Sequence, residues 1–400
     1  MALQTRFQPN GNATLQYAWV PEFRLKAGPV VPQARISYCV WGQPGRPVIV
    51  LHPGVAGSVR ALAAQEEVYA DGWWNRYIGP GRLLDTDAFQ VVCFGHFGGN
   101  GPSSSADELA PFAADLNVLD TASLAAQALR RLGVDEVHAS IGTSMGAAIA
   151  REWLFQEQVG VRRVVEIFGK HGNNHCGSPA VCSHKIHHDI MTTDGGNLGD
   201  IRRRFVECFG PMRGETHAFG VVYDHVLAGL DALHEQITDR QALRVARMSG
   251  YFRFVTPLYF QQKWDAVFQK TWDRSAADRE LRAMMDRLAE SFMATFTLSG
   301  YASLRRMDAQ PSRIPPQLVA DALKRHDAGM MSAVVRGDRL YDPDLQIDEF
   351  RQIRDRLPHD RQDRMRLLIC HDPVRGHDHF LSEAFEGSAR EIRAFLHDDT

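Results

Sequence analysis

The sequence predicts an α/β fold: a mostly parallel sheet with helices on both faces, carrying a large helical insertion. Three observations lead there. Short apolar runs alternate with amphipathic helical periods up to about residue 171. Across 172–320 helical periods dominate, and from 321 the alternation resumes. One strand-to-helix junction reads Gly142-Thr-Ser144-Met-Gly146, a serine flanked two residues away on each side by glycine.

The elements follow in order. Residues 34–41 (ARISYCVW) and 47–52 (PVIVLH) are predicted strands, parted by the turn-forming cluster GQPGR. Residues 89–95 form a third apolar run, which ends in the glycine-rich HFGGNGPSSS. The spacing of Leu116, Leu119, Leu124, Ala128 and Leu132 predicts a helix over 115–132, stopped by Gly133. Residues 134–141 are a strand leading into the serine turn, 145–158 a helix and 161–168 another strand. After the insertion come a strand at 330–338, a helix at 344–357, a strand at 365–372 and a closing helix at about 382–397. The expected organisation is a core built from 1–171 and 321–400, covered by a helical lid, 172–320.

Composition narrows the function classes. With 400 residues, 44% hydrophobic and 23% charged, the chain reads as an ordinary globular protein. A net charge of −3 gives no electrostatic case for nucleic acid or an anionic membrane. No apolar run approaches the length of a membrane span, and the N-terminus lacks the basic-then-apolar layout of a signal peptide. Six cysteines (39, 93, 176, 182, 208, 370) include no C-x-x-C pair, so reduced thiols in a cytoplasmic protein are expected. The histidine-rich stretch 170–189 has two cysteines but no metal-binding grammar, and it is read as a polar lid segment; no metal is expected.

The serine turn is where chemistry is expected. G-x-S-x-G by itself arises by chance in roughly one chain of this length in seven, so its setting must decide. A strand enters it and a helix leaves it, and at such a sharp turn side chains two residues either side of the serine would collide. The helix N-terminus aims backbone N–H groups at the site, which suits a developing oxyanion. Met145 N–H is one candidate donor, and Val55 or Ala56, in the loop LHPGVAGS after an early strand, is the other. A serine hydroxyl needs a base. Asp338 follows a late strand and His377 sits in the loop after the next, giving the chain order Ser, Asp, His that this fold requires. Asp342, Asp344, His371 and His379 are competing choices nearby.

These residues, with the stretches "GWWNRYIGPGRLLDTDAFQVVC" (72–93), "GPSSS" (101–105), "ARMSGYFRF" (246–254), "YASLRRMDA" (301–309), "GDRLYDP" and "GHDHFLSE", resemble the homoserine O-acetyltransferase family of α/β-hydrolase-fold acyltransferases. The resemblance implies acyl transfer from acyl-CoA, of the acetyl or succinyl class, through an acyl-serine. The acceptor would be the hydroxyl of homoserine, serine or a related small molecule, by default in methionine biosynthesis. It implies no permanently bound cofactor, with acyl-CoA as co-substrate, and a homodimer paired through the lid helices. Carried over, Ser144 is the nucleophile, Asp338 the orienting acid and His377 the base. Arg247 faces the acceptor carboxylate, and Asp378 receives its ammonium. Where the family has tyrosine seven residues after that arginine, this chain has Phe254, one hydrogen bond fewer for the acceptor. The alternative expectation is a serine hydrolase, an esterase or thioesterase, using the same triad with water as acceptor.

Overall fold

The structure, a computed structural model, describes residues 13–63, 72–169, 198–233, 238–309 and 314–398. Its eight main strands are β1 (Gln16–Arg24), β2 (Val30–Trp41), β3 (Val48–His52), β4 (Gln90–Phe94), β5 (Ala139–Thr143), β6 (Arg163–Ile167), β7 (Gly329–Arg336) and β8 (Met365–His371). They form one sheet in the order β1-β2-β4-β3-β5-β6-β7-β8. β2 is antiparallel to both β1 and β4, and every other neighbouring pair is parallel.

Alternation along each strand splits the apolar residues between two cores. Val48 and Val50 of β3 join one cluster, with Val92 and Phe94 of β4; Ile49 and Leu51 join the other, with Val91 and Cys93. The first face is covered by α1 (Asp120–Arg131), α2 (Met145–Glu152), α9 (Pro316–His326) and α10 (Pro343–Arg354). The second is covered by α11 (Glu386–His397) through Ile392 and Leu396. Helices on both faces are what a sheet needs when its parallel strands are apolar on both sides.

Between β6 and α9 the described residues hold six helices: α3 (Leu198–Phe209), α4 (His217–Asp231), α5 (Asp239–Phe254), α6 (Pro257–Thr271), α7 (Arg274–Thr295) and α8 (Leu298–Ala309). An aromatic cluster joins the first four, with Phe252 of α5 against Phe209, Phe219 and Phe260 at ring separations of 5.0 to 5.8 Å. Thr238 opens α5 with a capping box completed by Gln241. Just past the end of α5, the Thr256 hydroxyl donates to the carbonyls of Pro373 and Val374 (2.7 and 2.9 Å), which ties these helices to the loop after β8. The histidine-rich stretch 170–189 lies outside the described residues.

Several expected elements are shorter than their apolar periods suggested. The helix expected over 115–132 begins at Asp120, because that carboxylate accepts from the backbone of Asn117 and Lys26 and fixes the preceding turn. The strand expected over 134–141 breaks at His138, whose N–H donates to Val48 O (2.7 Å). The edge strand β1 carries Pro21 and positive φ at Glu22, features tolerated where one side of a strand has no partner.

The strand order reverses between β3 and β5: the chain leaves β3 toward β4 and leaves β5 toward β6. In an open parallel sheet the crevice at such a reversal, outside the carboxyl ends of the strands, is where ligands bind.

Candidate active site

Ser144 is the single residue between the end of β5 and the start of α2, with φ 53° and ψ −120°. A side-chain-bearing residue in that region is strained by about 1–3 kcal/mol, and surrounding structure must hold it there. The glycines show how. A Cβ on Gly142 would lie 1.9 Å from Gly146 O; one on Gly146 would lie 2.2 Å from His52 O and 2.6 Å from Pro53 O. Only hydrogen at both positions lets strand, turn and helix pack this closely. Ser144 N–H donates to Ile167 O (2.9 Å), so β6 also holds the turn.

Three side chains distant in sequence meet here. His377 Nε2 lies 2.8 Å from Ser144 Oγ, and His377 Nδ1 lies 2.8 Å from Asp338 Oδ2. All three are buried. The other carboxylate oxygen of Asp338 accepts from the N–H groups of Leu340 and Tyr341 (2.7 and 3.1 Å). The acid is therefore locked in place while it orients the imidazole. The competing residues have other partners. Asp342 caps α10 through the N–H groups of Asp344 and Leu345, Asp344 pairs with Arg336, and His371 is exposed. His379 pairs with Asp372 at 2.7 Å.

Burial alone would lower the pKa of His377, but the Asp338 carboxylate, by charge and hydrogen bond, outweighs it, and Asp378 adds to the effect. The net shift is upward from about 6.5. A base works only when neutral. Serine-dependent activity should therefore fall as pH drops through a value above 6.5, while Asp338→Asn should move that acid limb to lower pH along with a large loss of rate. A pH–rate profile of kcat/KM on both proteins checks this; a wild-type limb below 6 contradicts it.

The backbone positions expected from the sequence as oxyanion donors lie beside the serine. Gly57 N–H donates to Gly54 O (2.9 Å), closing a turn whose central residues are Val55 and Ala56. In such a turn the bond is made by the outer residues, so the central N–H groups are left to face a ligand. A Cβ on Gly54 would stand 3.3 Å from Ser144 Cβ, so the turn abuts the serine. His96 Nε2 lies 3.0 Å from Gly54 O and braces the turn. Burial lowers the His96 pKa to about 4, so near neutral pH the ring is uncharged and donates from Nε2. Met145 N–H stands at the N-terminus of α2.

A cavity of about 160 Å³ opens onto Ser144 and His377, and Val55, Ala56, Trp73, Arg247, Phe254 and Asp378 line it. Arg247 is buried, its guanidinium 5.2 to 5.7 Å from the ring centres of Tyr251, Phe254 and Phe292. Burial raises the pKa of Asp378 against the opposing pull of His377 and Arg247. The cavity thus presents a guanidinium and a carboxyl group close to the Ser144 hydroxyl.

Two residues of this site were not singled out as functional in the sequence. Of the Trp73–Trp74 pair, whose ring centres lie 5.3 Å apart at a 30° tilt, Trp74 is core but Trp73 lines the cavity, its indole N–H fixed on Ser58 O (2.9 Å). Tyr341 sets its ring edge against His377 at 5.3 Å. The available signal for Tyr341 was its place three residues after Asp338. Among the described residues no group of three or more histidine, cysteine or acidic side chains is arranged to hold a metal ion, and no helix is long and apolar enough to cross a membrane.

Comparison with known proteins agrees with this architecture. A family model described as alpha/beta hydrolase fold matches residues 47–173. The serine O-succinyltransferase of Emericella nidulans is 36% identical over 158 residues, 36% of this chain and 30% of that protein. The homoserine O-acetyltransferase of Corynebacterium diphtheriae is 32% identical over 148 residues, 35% of this chain and 38% of that protein. The chain thus spans well under half the length of these two relatives. The homoserine O-acetyltransferase of Haloferax prahovense is 24% identical over 317 residues, 76% of this chain and 71% of that protein. Among solved structures, homoserine O-acetyltransferase from Bacillus anthracis superposes with a TM-score of 0.66 at 13% identity, covering 96% of this chain and 98% of that one. An acetylester hydrolase from Corynebacterium glutamicum gives 0.63 at 18% identity, covering 96% of each. The chain has the α/β-hydrolase fold, and in sequence it is similar to homoserine O-acetyltransferases and serine O-succinyltransferases.

Proposed function

We propose that this protein is a CoA-dependent O-acyltransferase acting on a small hydroxylated amino acid, with Ser144 as the nucleophile. The hydrogen-bonded series Asp338–His377–Ser144, opening onto a cavity that also presents Arg247 and Asp378, carries the reading. A plain hydrolase needs only the first three. The additional cation and carboxylate match the two charged ends of an amino acid whose hydroxyl must reach His377.

The reaction runs in two halves. His377 Nε2 takes the Ser144 proton as Oγ attacks the thioester carbon of an acyl-CoA. The carbonyl oxygen gains charge toward Met145 N–H and the Val55–Ala56 turn. On collapse the C–S bond breaks, and His377 returns the proton to the departing thiolate. The acceptor hydroxyl then gives its proton to His377 and attacks the acyl-serine; Ser144 leaves and is reprotonated. Arg247 holds the acceptor carboxylate through both guanidinium nitrogens, and Asp378 holds the ammonium. Phe254 offers the acceptor no hydroxyl. Helices α3–α8 act as the lid that keeps water from the acyl-serine. Leu258 at the start of α6 and Trp272 just past its end are exposed and offer apolar surface for pairing with a second copy.

Thiol release from acetyl-, succinyl- and propionyl-CoA, with and without homoserine and serine, tests the reading. Turnover should require an acceptor and show ping-pong kinetics; thiol release indifferent to every acceptor would make the protein a thioesterase. Arg247→Ala should raise the acceptor KM by about 30- to 100-fold, the loss of a charge-assisted contact. It should leave the rate of CoA release in the first half-reaction nearly unchanged. Single-turnover CoA release and steady-state acceptor titrations separate the two.

A further inference from the structure

Two imidazole–carboxylate pairs stand on the loop that follows β8, and the reaction scheme above uses only the first. Asp338 Oδ2 lies 2.8 Å from His377 Nδ1, and Asp372 Oδ2 lies 2.7 Å from His379 Nδ1. Both histidines sit on the short 3-10 helix Gly376–Leu381. On a helix of three residues per turn, side chains two positions apart leave it about 120° apart. His377 therefore reaches Ser144 while His379 turns away, onto the rings of Phe168 and Phe385 at 5.9 and 5.7 Å. Asp372 and His379 are both buried.

Asp372 closes this loop on itself. Its Oδ1 accepts from the N–H groups of Val374 and Arg375 (2.9 and 2.8 Å), before the base. Its Oδ2 takes His379, which comes after the base. Burial works to raise the Asp372 pKa, but the N–H groups of Arg375 and Val374, and then His379, outweigh it. The net shift is downward, so the carboxylate is ionised near neutral pH and only accepts; His379 Nδ1 carries the shared proton. Contacts outside the loop fix where it sits. Thr256 N–H donates to Val374 O (3.1 Å). A Cβ on Gly337 would lie 2.7 Å from Asp372 O, and one on Gly376 would lie 2.9 Å from Gly337 O. Both ends of the stretch leading to His377 thus pack on the residue beside Asp338.

We propose that Asp372 is a positioning residue, whose carboxylate spans the loop from Val374 to His379 and so holds His377 at hydrogen-bond distance from Ser144. The inference rests on the reading of Ser144 as the nucleophile and His377 as its base. Asp372 acts through the loop: no bond forms or breaks at its carboxylate, and no proton leaves or joins it during turnover. What it maintains is the short His377 Nε2–Ser144 Oγ separation across which the proton must pass in both half-reactions. A displacement of about 1 Å in such a separation costs on the order of 100-fold in rate. The Asp372–His379 pair thereby gives the second histidine of Gly376-His-Asp-His379 a part in the chemistry, although its own ring faces away from the serine.

The test is the pre-steady-state burst of p-nitrophenol from p-nitrophenyl acetate, with mass-spectrometric localisation of the acetyl group. The burst amplitude counts folded, competent sites, and the burst rate constant reports the geometry within each of them. A carboxylate that only stabilised the fold would change the first and spare the second. The wild type should show a burst and carry acetyl on Ser144. Asp372→Ala should also become acetylated on Ser144, with a burst rate constant lower by about 10- to 100-fold. Asp372→Asn should return to within about fivefold of wild type, because its amide oxygen still accepts from Val374 and Arg375. Asp372→Ala with a rate constant within about twofold of wild type overturns the positioning role, whatever its amplitude, and leaves the nucleophile standing. Asp372→Asn as slow as Asp372→Ala also overturns it, since the charge and not the tether would then matter. A wild type that never acetylates Ser144 overturns the nucleophile itself, so the failures are distinguishable. Should Asp372→Ala fail to fold, His379→Phe keeps a ring against Phe168 and Phe385 and removes one tether. Its burst rate constant should fall by about 3- to 30-fold, and an unchanged one overturns the proposal.

Discussion

Replacing Ser144 by alanine should reduce kcat by at least about 10⁴-fold, since the nucleophile and the proton passed to His377 vanish together. The fold should be unaffected. Alanine keeps the Cβ, so the strain of φ 53° is neither relieved nor increased. Glycine gives a different outcome, because it adopts positive φ without penalty. Ser144→Gly should be equally inactive yet more stable than wild type by about 1 kcal/mol, the strain that the functional residue stores. Denaturant midpoints of the three proteins, read with single-turnover CoA release, check both statements. Retention of most activity by Ser144→Ala would remove the elbow serine from the chemistry.

Gly146→Ala should be among the most damaging single methyl additions at the described glycines. Its Cβ would sit 2.2 Å from His52 O and 2.6 Å from Pro53 O, both backbone atoms at the end of β3. No flexible side chain is there to yield. Either α2 moves off the sheet or β3 moves and carries the Val55–Ala56 turn with it. Destabilisation of about 3 kcal/mol or more is expected. The surviving folded protein should acylate at least about 100-fold more slowly, because an oxyanion donor is displaced. Gly229→Ala in α4 is the control. Nothing lies within 4 Å of its Cβ, and its φ is ordinary. It should stabilise by about 0.5–1 kcal/mol through helix propensity. Urea midpoints for both variants measure the contrast, and equal effects would contradict the steric account.

These expectations rest on features that were legible in the sequence to different degrees. The elbow was legible because its requirement is steric and local, two glycines and a serine between a strand and a helix. Asp338 and His377 could be set apart from Asp342, Asp344, His371 and His379 by strand ends and chain order. The structure brings that pair to Ser144 and gives three of the four competitors other partners. β1 carries too little alternation to announce itself, because half of an edge strand faces solvent and Pro21 interrupts it. Tyr341 and Trp73 carry no sequence signal of their own beyond being aromatic. What makes them part of the site is the approach of one ring to the His377 imidazole and of the other to the cavity, and no periodicity encodes that. The stretches 170–197, which include the N-terminal edge of the expected lid, and 310–313 lie outside the described residues, and the expected C-terminal edge at 320 falls inside α9.

The central claim is that Ser144 carries the acyl group between donor and acceptor. Mixing the protein with an acyl-CoA in the absence of acceptor, quenching in acid and sequencing the peptides by mass spectrometry tests it most directly. The account predicts one acyl group per chain, on Ser144, which disappears on adding the hydroxylated acceptor as the O-acyl product forms. Acyl-CoA turnover with Ser144 unmodified throughout, or with the acyl group on another side chain, would contradict it.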